Sequence, residues 1–147
     1  MEFALRPAIA DDFPFALEVK RDAPGPYIAA RWGWDETLQL QYHEKRWAEK
    51  PWEIIVCAAV PVGTVSIHWL PTHLQFGEFY IAAPHRRQGL GTAVFSHALK
   101  QAAQRRLETR LEYLKWNPVA SLYTRHGFRM VDENDSHIFL VRSPHEV

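Results

Sequence analysis

Residues 74–91, Leu74-Gln75-Phe76-Gly77-Glu78-Phe79-Tyr80-Ile81-Ala82-Ala83-Pro84-His85-Arg86-Arg87-Gln88-Gly89-Leu90-Gly91, decide the fold. The first half, Leu74 to Ala82, is rich in aromatic and branched residues and reads as a strand. From Leu90 the period turns helical, with Leu90, Val94, Phe95, Ala98, Leu99, Ala102 and Ala103 on one apolar stripe. Two glycines at the helix entrance let the backbone approach a ligand and leave N–H groups exposed at the positive end of the helix dipole. Such a junction suits a pyrophosphate. It is not a P-loop, because no GxxxxGK[ST] occurs, and Val94 stands where a dinucleotide fingerprint has its third glycine. Taken alone, the two glycines are better explained as a plain helix-entry turn.

Upstream, Phe3 to Arg6 reads as a short strand ended by Pro7. Asp11-Asp12 open a helix carrying Phe13, Ala16, Leu17 and Lys20 at helical spacing, and Pro24-Gly25-Pro26 ends it. A second helix starts at Asp35 as N-cap and runs to about Glu49, with Leu38, Tyr42 and Trp47 among its apolar positions, before Pro51. Glu53 to Ala59 and Val62 to Leu70, separated by Pro61 and by Pro71-Thr72-His73, make three successive antiparallel strands with Leu74 to Ala82. Downstream, Leu111 to Trp116 is a strand, and Asn117-Pro118 is a helix start with an Asn cap. Val119, Leu122, Tyr123 and His126 form the buried face of that helix, and Gly127 stops it. Phe128 to Val131 and His137 to Arg142 close as a hairpin across Glu133-Asn134-Asp135-Ser136. The order β-α-α-β-β-β-α-β-α-β-β is an α+β pattern.

The 147 residues suit one domain, 1–147, with a single core. Apolar residues make up 47% and charged residues 23%, a globular composition, and no run approaches the roughly eighteen apolar residues of a membrane span. Met1-Glu2-Phe3-Ala4-Leu5-Arg6 lacks the basic start of a signal peptide, so the expected location is the cytoplasm. Seventeen basic residues balance seventeen acidic ones, which leaves no global field for nucleic acid or an anionic membrane. The basic residues are uneven, however: Arg86, Arg87, Lys100, Arg105, Arg106 and Arg110 fall close together in sequence, which places them around the expected anion site. The one cysteine, Cys57, sits in an apolar run and reads as an inert thiol. No pair of histidines has metal-ligand spacing with a carboxylate, so no metal is expected.

Arg86-x-x-Gly89-x-Gly91 between strand and helix resembles the acyl-CoA signature of the GNAT superfamily of N-acetyltransferases. Downstream, Leu114 to Phe128 is similar to that superfamily's Asn…Leu-Tyr-x-x-x-Gly-Phe segment, here Asn117, Leu122-Tyr123 and Gly127-Phe128. Two departures stand out: Ala83-Pro84 replaces the usual Pro-Glu, and Asn117 to Tyr123 is one residue shorter than the commonest spacing. The resemblance implies a mixed, mostly antiparallel twisted sheet flanked by helices. It also implies transfer of an acetyl group from acetyl-CoA to a primary amine, by direct attack in a ternary complex.

Residue by residue, the resemblance gives Arg86, Arg87, Gln88, Gly89, Leu90, Gly91 and Thr92 to the pyrophosphate and the main chain of Phe79, Tyr80 and Ile81 to the pantetheine arm. Asn117 holds the pantetheine or the substrate region, or is simply a cap. Tyr123 fits the acid that meets the departing thiolate: a phenol near pKa 10 against a thiol near 8.5 makes full proton transfer uphill by only about 2 kcal/mol. The base is open between Glu78 and Glu112, with His68 and His73 as further choices. Tyr27, Trp32 and Trp34 border the expected acceptor cleft, where core packing explains them equally well. The acceptor is a small-molecule amine or a peptide, neither nucleic acid nor membrane is an expected partner, and a homodimer is compatible with the pattern. Two rival classes share the cradle motif: a non-catalytic acyl-CoA sensor and an interaction module whose glycine turn is only structural.

Overall fold

A computed structural model describes residues 2–118 and 120–145. Its elements in chain order are β1 (Ala4–Pro7), α1 (Phe13–Asp22), α2 (Gly25–Trp32), α3 (Glu36–Glu49), β2 (Glu53–Cys57), β3 (Val60–Trp69) and β4 (His73–Ile81). Then follow α4 (Leu90–Gln104), β5 (Glu108–Leu114), α5 (Ala120–Arg125), β6 (Arg129–Glu133) and β7 (His137–Arg142). The strands form a seven-stranded sheet in the order β1-β2-β3-β4-β5-β7-β6. Every pairing is antiparallel except β4 with β5, because α4 carries the chain back across the sheet between them.

Both faces of the sheet are covered. Ile54 and Ile55 are adjacent on β2 and therefore point to opposite faces, yet each is fully buried. On one face the stripe Val94, Phe95, Ala98, Leu99 and Ala102 of α4 packs on Ile55, Val65, Ile67, Leu74 and Phe76. Phe95 lies at the centre of this layer, with ring contacts to Phe76, Tyr123, His126 and Phe128. Its burial contributes on the order of 2–3 kcal/mol. On the other face α1 packs on β3 and β4 through buried Ala16 and Val19, and Phe13, His43, Trp47 and Trp52 make an aromatic box with α3.

The expected α+β order holds, with one helix added. Pro24-Gly25-Pro26 follows the end of the first helix as expected, α1 stopping at Asp22, and the same segment starts the additional α2, since proline is tolerated in a first turn. Gly25 is buried there, where a Cβ would lie 3.3 Å from the Trp34 ring. In α3 the Asp35 cap is as expected, its carboxylate accepting from the Leu38 N–H at 3.0 Å. The expected apolar face is not the buried one: Leu38 and Tyr42 are exposed, and His43 is fully buried. Pro61 lies inside β3 rather than before it, next to an irregular register between β2 and β3, where a missing N–H costs least. Ala58 and Ala59 make the tight turn with φ of 49° and 66°, a conformation their side chains do not advertise. The helix expected from Asn117-Pro118 is assigned from Ala120, and before it the Asn117 N–H donates to Leu114 O at 2.9 Å in a turn. Val119, expected on that helix's buried face, lies outside the described residues.

Candidate active site

β4 and β5 are paired only where His73, Leu74 and Gln75 meet Glu108, Thr109 and Arg110. Both strands then continue, to Ile81 and to Leu114, without pairing each other, so the sheet opens as a wedge. An irregularity in β4 accompanies the opening. The register with β3 shifts between Thr64 and Ser66, and Glu78 takes a φ of 46°, the left-handed region rare for a side chain of its kind. The Thr64 hydroxyl donates to Glu78 O at 2.8 Å and fixes this bulge. Gly63 is required opposite it, because a Cβ there would stand 2.4 Å from Tyr80 O. Beyond the bulge Phe79 and Ile81 pack toward α4, which sends Glu78 and Tyr80 to the α1 face.

At the open end of the wedge lies the glycine turn. Gly89 has a φ of 82° and Arg87 of 62°, and the turn delivers the chain into α4. None of the six main-chain N–H groups from Arg87 to Thr92 donates to a protein acceptor among the described residues; the first N–H to do so is that of Ala93, to Gly89 O. A run of unpaired donors at a helix N-terminus is a site for a multiply charged anion. Gly91 has ordinary φ, and a Cβ on it would meet only Phe79 and Ile81, at 3.8 and 3.9 Å. Internal packing therefore does not explain its lack of a side chain. Arg86 is committed elsewhere: its Nε donates to Ile81 O at 2.7 Å and its guanidinium pairs with Asp22 at 3.1 Å, tying the loop to the end of α1. Arg105 and Arg106, near in sequence, stand past the other end of the fifteen-residue α4, roughly 22 Å away. Arg105 stacks on Trp69 there.

Tyr123 of α5 packs beneath the β5 wall of the wedge, its ring centroid 5.6 Å from those of Phe95 and Tyr113. Its hydroxyl has no hydrogen bond among the described residues, and burial, helped by Tyr113, pushes its pKa up to about 12. Asn117 is partly buried in the turn after β5.

Glu78 and Glu112 lie on opposite walls of the wedge, on β4 and β5. Their settings differ. The Glu78 side chain is 6% exposed and faces three cations: Lys20 Nζ at 3.5 Å, Lys50 Nζ at 3.5 Å and Arg46 Nε at 3.6 Å. Burial pushes its pKa up, but these cations outweigh it and hold the carboxylate below its usual range. Its Oε2 has no hydrogen bond, and neither nitrogen of the neighbouring His43 has one. Burial and Glu78 together push the Tyr80 phenol well above its ordinary value. Glu112 is exposed and makes no ion pair among the described residues. His73 bonds Thr72 at the closed end of the wedge, and His68 is across from Gln75 there, which separates both from the opening.

Trp32, at the end of α2, is 52% exposed and stands edge-on to Trp116 at 5.1 Å, with Arg31 stacked on Trp116 at 4.8 Å. This pair links α2 to the end of β5 at the open side. Trp34 turns inward against Gly25 and donates from its indole to Glu36, a packing role, and Tyr27 is partly buried on α2. Sequence reading missed Trp116, taken as the end of a strand, and the cations around Glu78. Those cations come from α1 and from the end of α3, both distant in sequence from Glu78, so no local spacing announces the cluster.

A family model described as the acetyltransferase (GNAT) family matches residues 10–128, and the chain belongs to that family. No curated protein matches the sequence significantly. Among solved structures, the fold is similar to the PaiA N-acetyltransferase of Thermoplasma acidophilum in complex with coenzyme A, at a TM-score of 0.76 and 15% identity over 97% of this chain and 99% of that one. An acetyltransferase from Thermus thermophilus gives 0.74 at 16% identity, with 97% of each chain covered. The ribosomal-protein-S18-alanine N-acetyltransferase of Escherichia coli gives 0.70 at 14%, over 99% of this chain and 96% of that one. No group of three or more potential metal ligands occurs among the described residues, and no helix among them is long and apolar enough to cross a membrane.

Proposed function

We propose that the protein transfers the acetyl group of acetyl-CoA to a primary amine by direct attack within a ternary complex. The observation that carries this reading is the wedge between β4 and β5, ending at six unpaired N–H groups. The pyrophosphate fits at Arg87 to Thr92, where donors need no rearrangement. The pantetheine arm fits along the free edge of Phe79 to Ile81, pairing as an added strand does. This points the thioester back toward the bulge at Glu78. A main-chain N–H of β4 then meets the carbonyl oxygen as it gains charge.

The new bond joins the amine nitrogen to the acetyl carbon, and the bond to sulfur breaks. One proton leaves the nitrogen and one ends on the thiolate. Tyr123, with no other hydrogen bond, serves the departing sulfur. With a pKa of about 12 against roughly 8.5 for the thiol, complete transfer is uphill by about 5 kcal/mol, so its service is a hydrogen bond to the developing charge, with solvent completing the protonation. Glu78, held below the usual carboxylate range, is a weak base and acts chiefly as a fixed charge. Glu112, with no competing cation, takes the proton of the amine through water. Asn117 and the Trp32–Trp116 pair border the route by which the acceptor enters.

The test is a screen for thiol release with acetyl-CoA across a panel of amines and peptides, with acetylated product identified by mass. Acetyl-CoA binding without turnover on any acceptor favours a sensor. Absence of binding leaves only an interaction module.

A further inference from the structure

The cations around Glu78 exceed what that carboxylate neutralises. Lys20, Arg46 and Lys50 bring three positive charges to within 3.6 Å of a single negative one, and the Lys20 and Glu78 side chains are only 8% and 6% exposed. Most other carboxylates of the surrounding helices are engaged elsewhere, and Glu44 of α3 is exposed and makes no ion pair with the cluster. Asp12 bonds Arg6, Glu18 and Glu36 bond Arg21, Asp22 bonds Arg86, and Glu49 faces Lys45. The contacts to Glu78 are also long for charge-assisted hydrogen bonds, which close to roughly 2.7–2.9 Å when two partners satisfy each other. Lys20 and Glu78 balance each other in the buried part, so the excess positive charge lies on the partly exposed Arg46 and Lys50, whose one carboxylate partner among the described residues is Glu78 and which can take a further anion.

The lack of a side chain at Gly77 leaves the strand surface beneath Lys50 uncovered. This glycine does not have positive φ, and a Cβ on it would meet nothing within 4 Å except Lys50 Nζ at 4.0 Å. Neither backbone conformation nor packing calls for glycine there. The Lys50 and Arg46 side chains are 28% and 40% exposed, so this side of the cluster is open while the Lys20 side is closed. Gly77 is one residue from the bulge, about 3.3 Å along the strand. An anion over it is therefore close to the point where the thioester meets the acceptor nitrogen.

We propose that Lys50 and Arg46 form an oxyanion-binding subsite over Gly77, and that the acceptor is an amine carrying a carboxylate or phosphate a few bonds from its nitrogen. This rests on the acetyl-transfer reading above and narrows its acceptor to compounds such as amino acids or phosphorylated amino alcohols. Polyamines are disfavoured, because a second cation would enter a positive field.

The experiment compares matched acceptors: L-leucine with isoamylamine, which lacks only the carboxylate, and O-phosphoethanolamine with ethanolamine. We expect kcat/KM at least tenfold higher for the anionic member of one or both pairs. The pair that shows it identifies carboxylate or phosphate as the group. In Lys50→Met and Arg46→Met the ratio within that pair should fall toward one. Equal rates within both pairs, or a ratio that survives both substitutions, overturns the proposal. Inorganic phosphate provides a readout independent of turnover. At constant ionic strength it should raise the melting temperature of the wild type more than that of Lys50→Met, and identical shifts overturn the subsite. Acetyl-CoA binding is measured alongside: its loss counts against the acetyl-transfer reading, while the phosphate comparison still decides the subsite.

Discussion

Tyr123→Phe removes a hydroxyl that has no partner among the described residues. The ring's contacts with Phe95, Tyr113 and Phe128 stay in place, so the cost to stability is small, within about 1 kcal/mol. The effect on chemistry is not small. A hydrogen bond from a neutral donor to a charged acceptor contributes about 1.5–3 kcal/mol, and here it strengthens as sulfur takes up charge. At about 1.4 kcal/mol per decade, turnover should fall ten- to a hundredfold while the Michaelis constant for acetyl-CoA hardly moves. The assay is steady-state thiol release with an acceptor found in the amine screen, alongside urea denaturation of both proteins. Full turnover in a folded Tyr123→Phe protein would refute the reasoning, and Tyr123 would then be a packing residue. A tenfold rise in Michaelis constant at unchanged turnover would equally contradict a contact made in the transition state.

Gly89→Val forces a β-branched residue to a φ of 82°, and Gly91→Val places a side chain where the ligand passes. Each should raise the Michaelis constant for acetyl-CoA at least tenfold, and circular dichroism should show that Gly91→Val stays folded. Glu78→Gln leaves three cations without their carboxylate, and denaturant titration should record a loss of about 3–5 kcal/mol at neutral pH. Because folding lowers the Glu78 pKa below 4.5, its contribution is present above that value and disappears as pH falls through the folded-state value. Difference absorbance of wild type against Tyr123→Phe should place this phenol's titration near 12. An unfolded tyrosine loses its proton near 10, so the stabilisation from Tyr123 is complete below pH 10 and lost as pH rises to about 12.

Much of the sheet and the long helix were legible because local pattern and tertiary environment agree there. The stripe from Leu90 to Ala102 is buried as its spacing demands, and the three middle strands pair in sequence order. Where the two disagree, the sequence misleads. The stop signals of Pro24-Gly25-Pro26 do end α1, but they hide the start of α2, since proline in a first turn is harmless and Gly25 is there to admit the Trp34 ring. Leu38 and Tyr42 have helical spacing but face outward, since the aromatic box with Trp47 and Trp52 selects His43. At the site, the glycine turn was visible because its chemistry is local to six residues. The parting of β4 from β5 was not, because it depends on a bulge at Glu78 and on the closeness of Gly63 to a neighbouring strand. The charge cluster was hidden for the same reason: Lys20, Arg46, Lys50 and Glu78 meet only once α1, α3 and β4 are packed.

The central claim is that the wedge and its six free N–H groups hold an acyl-CoA. Isothermal titration of the full chain with acetyl-CoA tests it most directly. The account predicts one molecule bound per chain, displaced by free CoA, with affinity at least tenfold weaker in Gly91→Val. No heat of binding from a folded wild-type protein, or equal affinity in wild type and Gly91→Val, would contradict it.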